Sequence, residues 1–400
     1  MPSYTYVAKA EDGRTVMGAL EVASEKVVLE ALHRQGLMVL SVKPVKNSSV
    51  FFRKKKVGMD DISVFARQMA TLVDAGIPIV GGLDAVADQM ENKTLQQTVE
   101  KLRDAVESGT NFTAAITKEN AVFSPLFVSM VKAGEASGHL SEVLTRLATY
   151  LEKSAALQRK VKSACIYPAI VIGMAVVITG VLMLKVIPAF KDIFMTLGAD
   201  LPLPTKILIA VSDFLQRGFF PLLGFSFFAV GWFRRAIQTP AGRLQFDRFL
   251  LKLAIVGPIV RKVAIAKFAR TLSTLLSSGV QILSALEIVA DSAGNRVVSE
   301  AILKVRTSIR EGENIAGPLA ASGVFPPMVV RMIAVGEQTG RLDEMLVKVA
   351  DFYEEQVDAA IAGLTSALEP VIISVLGIVV GSIVLAIFLP IFKLTQVLGH

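Results

Sequence analysis

Two stretches of the chain are apolar and uncharged for long enough to cross a bilayer. Ser163 to Leu184 runs 22 residues without a charge and Pro370 to Phe392 runs 23. About 20 residues suffice to span a hydrocarbon core. A third apolar run, Gly218 to Phe233, has 16 residues, is rich in Phe and is closed by Trp232 and Arg234-Arg235. Arg217 can snorkel at its other end. A buried or interfacial helix is the alternative reading of this run. Ahead of the first run, Leu144, Leu147, Ala148 and Leu151 form one stripe of a helix starting at Ser141 and continuing through a charged stretch towards Pro168. Five shorter helices are predicted before it. Asp60 or Asp61 starts the first and Gly76 stops it. Val80 to Glu91 makes the second, and Thr94 with Gln97 offers a capping box for a third that ends at Gly109. Asn111 caps a short fourth, and Ser124-Pro125 starts a fifth that Gly138 ends.

The first 46 residues have a different period. Tyr4-Thr5-Tyr6-Val7 alternates into an Glu11-Asp12-Gly13 turn signal, and Thr15 to Leu20 reads as the return strand. Ser24 caps a helix from Glu25 to Gln35, Gly36 ends it, and Leu37 to Val42 is a third short strand.

The helical pattern is used twice. Phe65-Ala66-Arg67 recurs as Phe268-Ala269-Arg270, and Gly76, Gly109 and Asn111 recur as Gly279, Gly312 and Asn314, all 203 residues on. One residue is then dropped. Phe123, Gly134-Glu135 and Gly138 match Phe325, Gly336-Glu337 and Gly340 at a spacing of 202. Each copy leads into its apolar run with a proline, Pro168 or Pro370, and closes it with another, Pro188 or Pro390. Units this long are whole domains, beyond the roughly 20–50 residues of solenoid repeats. The expected fold is an all-α membrane protein with two repeated six-helix cytoplasmic bundles, three transmembrane helices and a small N-terminal ββαβ unit. Its expected parts are a module at 1–46, a basic linker at 47–59, a first helical domain at 60–162, a span at 163–188, an extracytoplasmic connection at 189–217, a second span at 218–233, lead-in helices at 234–267, a second helical domain at 268–369, a third span at 370–392 and a tail at 393–400.

Composition agrees with a membrane chain: 52% of the 400 residues are hydrophobic and 19% charged. The net charge of +7 suggests nucleic acid less than basic residues retained on one side of a membrane. Lys153, Arg159, Lys160 and Lys162 precede the first span, and Arg234, Arg235, Arg243 and Arg248 follow the second. The positive-inside rule places both helical domains in the cytoplasm. Charge near the third span is equivocal, because Asp351, Glu354, Glu355 and Asp358 outnumber the nearby cations. The Arg53-Lys54-Lys55-Lys56 run beside Phe51-Phe52 reads as a solvated linker or as an anchor at an anionic membrane surface.

Catalytic patterns are missing. Gly336-Glu337-Gln338-Thr339-Gly340-Arg341 is one residue short of a phosphate loop and lacks its lysine. Three histidines lie far apart, the single cysteine is Cys165, and there is no EF-hand loop, although a carboxylate-bound divalent cation stays open. Glu135 and Glu337 are read as partner contacts or as caps of a neighbouring helix. Lys185, the one charge inside a span, snorkels or meets an acidic group of another membrane helix. No cofactor is expected. A transporter is disfavoured because no span is broken at its middle.

The arrangement resembles the inner-membrane platform proteins of type II secretion systems and type IV pili. Phe65-Ala66-Arg67-Gln68-Met69-Ala70-Thr71-Leu72 with Ala75-Gly76, the echo at Phe268–Gly279, the Gly-Glu-x-x-Gly turns and the Tyr167-Pro168 and Glu369-Pro370 entries carry the resemblance. Gly198-Ala199-Asp200-Leu201-Pro202 and Leu389-Pro390-Ile391-Phe392-Lys393 resemble the pilus branch more than the secretion branch. The resemblance implies no enzymatic activity. It implies a cytoplasmic assembly or retraction ATPase, pilin subunits and other inner-membrane pilus proteins as partners, a homo-oligomer in the lipid bilayer, and no nucleic acid. Candidate partner contacts are Gly134, Glu135, Gly138, Gly336, Glu337, Gly340, Arg67 and Arg270. Candidate membrane-coupling residues are Pro168, Pro370, Lys185, Pro188 and Pro390. A secretion platform is the alternative and a transporter the remote one.

Overall fold

The computed structural model describes residues 3–9, 15–22, 25–34, 37–44, 56–196 and 202–398. The Glu11-Asp12-Gly13 turn, the Ser24 cap, the Gly36 stop, the linker as far as Lys55 and the Gly198–Leu201 segment lie outside the described residues. The N-terminal unit runs β1 (Ser3–Lys9), β2 (Thr15–Glu21), α1 (Glu25–Arg34), β3 (Met38–Pro44). Its sheet order is β2-β1-β3, antiparallel throughout. Val28 and Leu32, one turn apart on α1, are fully buried, as is Ala8 of β1.

The following helices form two sets of six. The first set is α2 (Met59–Asp74), α3 (Ile79–Ala87), α4 (Lys93–Glu107), α5 (Phe112–Lys118), α6 (Pro125–Ser137) and α7 (Leu140–Val181). A π-turn at Leu182–Val186, α8 (Ile187–Thr196), α9 (Leu203–Gln238) and α10 (Pro240–Lys252) connect it to the second. That set is α11 (Val256–Ser277), α12 (Ile282–Ser292), α13 (Arg296–Arg310), α14 (Ala316–Ala321), α15 (Pro327–Thr339) and α16 (Leu342–Leu398). Each set packs around the phenylalanine that opens its repeat. Phe65 lies 5.6 Å from Phe123, which lies 4.8 Å from Phe127. In the second set Phe268 lies 4.8 Å from Phe325, and Val329 takes the place of Phe127.

Helix α4 starts on a different cap from the one expected. Asn92, one residue before α4, accepts from the Thr94 N–H at 3.1 Å, so Thr94 is already helical. The same device opens α13, where Asn295 accepts from the Val297 and Val298 N–H groups. Asn111 and Ser124 cap α5 and α6 through Ala114 and Phe127.

Helix α2 starts at Met59, beside the expected boundary at 59/60, but the domain-to-span boundaries fall inside helices. Helix α7 passes through 162/163 and Pro168, and α16 passes through 369/370, Pro370 and Pro390. At 1.5 Å per residue the 57 residues of α16 reach about 85 Å. The lead-in region is not separate either, since α9 continues past 233 and α11 runs unbroken through 267/268. Much of the expected connection at 189–217 is helical, in α8 and the first half of α9. Among the described residues, two helices are long and apolar enough to cross a membrane: Leu140–Lys191 and Leu342–Leu389.

Pro188 accounts for the π-turn. Proline has no N–H and its ring clashes with the carbonyl four residues earlier, here that of Leu184. The chain widens one turn, and the Ile187 N–H bonds the Leu182 carbonyl. That leaves the Met183 and Leu184 carbonyls without their helical donors. Helix α9 supplies both: the Ser212 hydroxyl donates to the Met183 carbonyl, and the Gln216 side-chain amide donates to that of Leu184 at 3.3 Å. Met183, Ile187 and Ile383 form a buried cluster beside them, with Leu208, Leu215 and Val379 packed around it. The Thr205 hydroxyl ties α9 to α16 by donating to the Ala386 carbonyl at 2.6 Å.

Candidate functional site

The Gly-Glu-x-x-Gly turns are built by three separate requirements. Gly134 sits where α6 meets α7, and a Cβ there would lie 3.0 Å from the Val143 Cβ. At Gly336 it would lie 2.9 Å from the Leu342 Cα, closer than real Cβ atoms come. Gly138 and Gly340 end their helices with φ of +74° and +70°, a left-handed conformation open to glycine without strain. The Glu135 carboxylate accepts from the Phe112 and Thr113 N–H groups at 2.9 and 3.0 Å, and Glu337 accepts from the Ile315 N–H at 2.8 Å. A carboxylate suits the unpaired amides and positive end of a helix N-terminus. Both glutamates are therefore engaged within their own copy as caps.

Arg67 and Arg270 clamp the first helix of each copy onto its last. The Arg67 guanidinium donates to both Glu152 carboxylate oxygens at 2.7 Å and to the Thr149 hydroxyl at 3.2 Å. Its pKa rises through the hydrogen bond to Glu152, whose own carboxyl is held below the usual range by the same bond. Arg270 donates to both oxygens of Glu354 at 2.8 and 2.9 Å, and also to Asp351. Burial works against the Arg270 charge, and the hydrogen bonds to Glu354 and Asp351 outweigh it. Burial likewise opposes ionisation of Asp351, yet Arg270 and Lys153 hold its carboxyl below the usual range. Planar fork-to-fork pairing of this kind fixes orientation as well as charge.

A second pair of contacts shows the copies as variants of one plan. In the first, the Ser141 hydroxyl donates to Asp74 at 2.8 Å. In the second, the Ser277 hydroxyl donates to Asp343 at 3.0 Å. Position for position, serine and aspartate have changed places.

The copies join along a seam where α7 packs on α11 and α16. Lys153 meets Asp351 at 3.3 Å and Lys160 meets Asp358 at 2.6 Å, so α7 and α16 run parallel. Tyr150 and Thr271 share a hydrogen bond of 3.1 Å, and the Arg146 guanidinium donates to the Ser277 carbonyl. The acidic residues that made the charge near the third apolar run equivocal are thus, in part, the partners of the first copy's lysines. Their complementarity was readable as Lys153 and Lys160 on one long helix and Asp351 and Asp358 on the other, but their pairing depended on the register of the seam.

Beside the seam a groove of about 730 Å³ opens, lined by Leu151, Leu157, Val161, Val263 and Ile288 with Cys165 and Lys267. Burial lowers the Lys267 pKa from its ordinary 10.5. Among the membrane-coupling candidates, Pro168 is buried inside α7 and Lys185 is exposed at the π-turn. No group of three or more metal-ligating side chains occurs among the described residues.

Residues 65–188 and 268–390 each match the family model described as Type II secretion system (T2SS), protein F, and residues 1–43 match that of its N-terminal domain. The chain belongs to the protein F family. Both matched repeats begin at the clamped helix and end at the closing proline of an apolar run. A Type IV pilus assembly protein PilC of Myxococcus xanthus is 43% identical over 98% of this chain and 94% of its own length. One of Thermus thermophilus is 42% identical over the full length of both chains. A Type II secretion system protein F of Pseudomonas aeruginosa is 34% identical, also over both full lengths. Family membership and the two long apolar helices make the chain a membrane protein.

Proposed function

We propose that this protein F family member is a non-enzymatic inner-membrane platform of a type IV pilus assembly machine. It couples a cytoplasmic ATPase to insertion or removal of pilin subunits. The observation that carries this reading is the unbroken helix in each copy. Helices α7 and α16 start inside a helical domain, are clamped there by Arg67 and Arg270, and continue into apolar stretches long enough to span. A displacement of the domain is then passed to the span, because one helix carries both. The basic residues before the first span and after Phe233 favour both domains and the N-terminus in the cytoplasm. Helix α9 is the third span in this reading: its hydroxyl and amide donors satisfy carbonyls that hydrocarbon would leave unpaired. The higher identity of the two pilus relatives supports the pilus branch, and the full-length match to a secretion protein F keeps a secretion platform as the second reading.

Ala156→Pro in α7 tests the coupling in a strain whose pili depend on this chain. The expected result is normal membrane levels with pili lost. Normal pilus numbers in that variant would sink the coupling. Mass spectrometry of proteins co-purified in mild detergent separates the branches: pilins with an assembly ATPase support the first, secretion-system components the second.

A further inference from the structure

The seam inside the chain is one-sided. Copy one contributes a face of α7, and copy two receives it on α11 and α16. In a two-fold arrangement the equivalent pair would be covered as well, and it is not. Phe352 is the second copy's counterpart of Tyr150 and stands 42% exposed, whereas Tyr150 is half-buried against Thr271. Lys348, the counterpart of Arg146, is exposed, and so is Glu355, the counterpart of Lys153. The receiving face shows the same contrast. Thr271 is fully buried while its counterpart Gln68 is half-buried, and the Arg270 side chain is 11% exposed against 40% for Arg67. The molecule therefore carries one filled joint and both halves of an unfilled one.

We propose that a second copy of this chain fills it. The second chain sets the α16 face of Lys348, Phe352 and Glu355 on the α2 and α7 face of Arg67, Gln68, Asp74 and Thr149, in the register that α7 uses internally. Lys348 comes opposite Asp74, which stands where Ser277 receives Arg146. Glu355 comes opposite Thr149, Arg67 and Glu152, the last standing where Glu354 meets Lys153 internally. Two carboxylates hold Arg270, whereas one carboxylate and a hydroxyl hold Arg67, so Arg67 between Glu152 and Glu355 repeats Arg270 between Glu354 and Asp351. Head-to-tail joints close into rings or continue as filaments. Because α7 and α16 are parallel, successive copies stand side by side with their long helices pointing the same way. The proposal rests on the membrane reading only in making that direction the membrane normal.

The test is thiol cross-linking in native membranes with a short bis-maleimide, after Cys165→Ser removes the exposed native thiol. It reads the joint without requiring pili, so its failure and that of the platform reading are distinct. A chain carrying Thr149→Cys and Glu355→Cys is expected to give dimers and higher multiples, and neither single variant to give them. Lys348→Asp should lower the yield by about tenfold, and adding Asp74→Lys should restore it. A chain with Lys153→Cys and Asp351→Cys, linked within itself, verifies that the internal seam is intact. The proposal is overturned if the Thr149/Glu355 pair gives no more dimer than the single variants. Dimers from Glu355→Cys alone would replace it with a symmetric joint, and adducts with other proteins alone would hand both faces to a different partner.

Discussion

Gly336 and Glu337 are neighbours in one turn and answer to different physics. A methyl at Gly336 collides with the backbone at Leu342, which cannot move as a flexible side chain can. Gly336→Ala is expected to cost roughly 1–3 kcal/mol, read as a lower midpoint in thermal or urea unfolding of the detergent-solubilised chain. Gly134→Ala, which meets mainly the Val143 side chain, should cost less. Glu337→Ala removes a cap and should cost about 1 kcal/mol. Lys267 is a different case, since burial in an apolar groove weakens its hold on a proton. The unfolded chain then binds more protons in the alkaline range, so stability rises as pH passes the depressed folded value and levels off above the ordinary 10.5. Lys267→Met should stabilise the protein at neutral pH and flatten that rise, measured by unfolding across alkaline pH. The glycine stops were legible because a left-handed turn has few solutions in sequence. The caps by Glu135 and Glu337 were one of two open readings, because a carboxylate in a turn does not reveal which helix end lies above it. Asn92 was passed over for Thr94, since two good capping residues stood within one turn of each other.

At the scale of elements, the π-turn and α9 form one unit. If Gln216 is present to satisfy the carbonyl that Pro188 orphans, the two positions are coupled. Gln216→Ala should weaken the packing of α9 in the native protein and have little effect once Pro188→Ala restores the N–H. A double-mutant cycle in detergent unfolding is expected to give a coupling of about 0.6 kcal/mol, the usual size of such bonds between membrane helices. Equal effects of Gln216→Ala in both backgrounds would show that the amide is not answering the proline. The long apolar runs were plain in the sequence because hydrocarbon-length patterning has no local competitor. That domain and span share one helix was less plain, because Pro168 and Pro370 read as boundaries, whereas a long helix can absorb a proline when neighbouring elements hold it. The donors on α9 were out of reach, since pairing Ser212 and Gln216 with particular carbonyls requires the third dimension.

Across the whole molecule the six-helix repeat was visible as spacing, and the seam was not. Duplicated sequence says that two similar domains exist, but the joint between them is made where the copies differ. Acid should loosen it. Asp351 has a depressed folded pKa, so its contribution is intact above its ordinary 3.8, falls as pH drops below that value and is gone beneath the folded one. Stability of the detergent-solubilised chain to urea should fall over the same interval, and Asp351→Asn should flatten that fall. Lys160→Asp should destabilise the chain and Lys160→Asp with Asp358→Lys should recover most of the loss, since reversing a complementary pair preserves it. The division of charge has a further consequence for the chain as a product of duplication. Each half has specialised, one as donor of lysines and the other as holder of acids, and they have ceased to be spare parts for each other. A chimaera of two first halves would set Lys153 against a threonine and against Glu152, already held by Arg67, and Lys160 against an alanine, and one of two second halves would set Glu355 against an aspartate. Both should fold half by half and come apart in the middle, so a gene conversion that made the two halves identical would preserve every domain and still lose the protein.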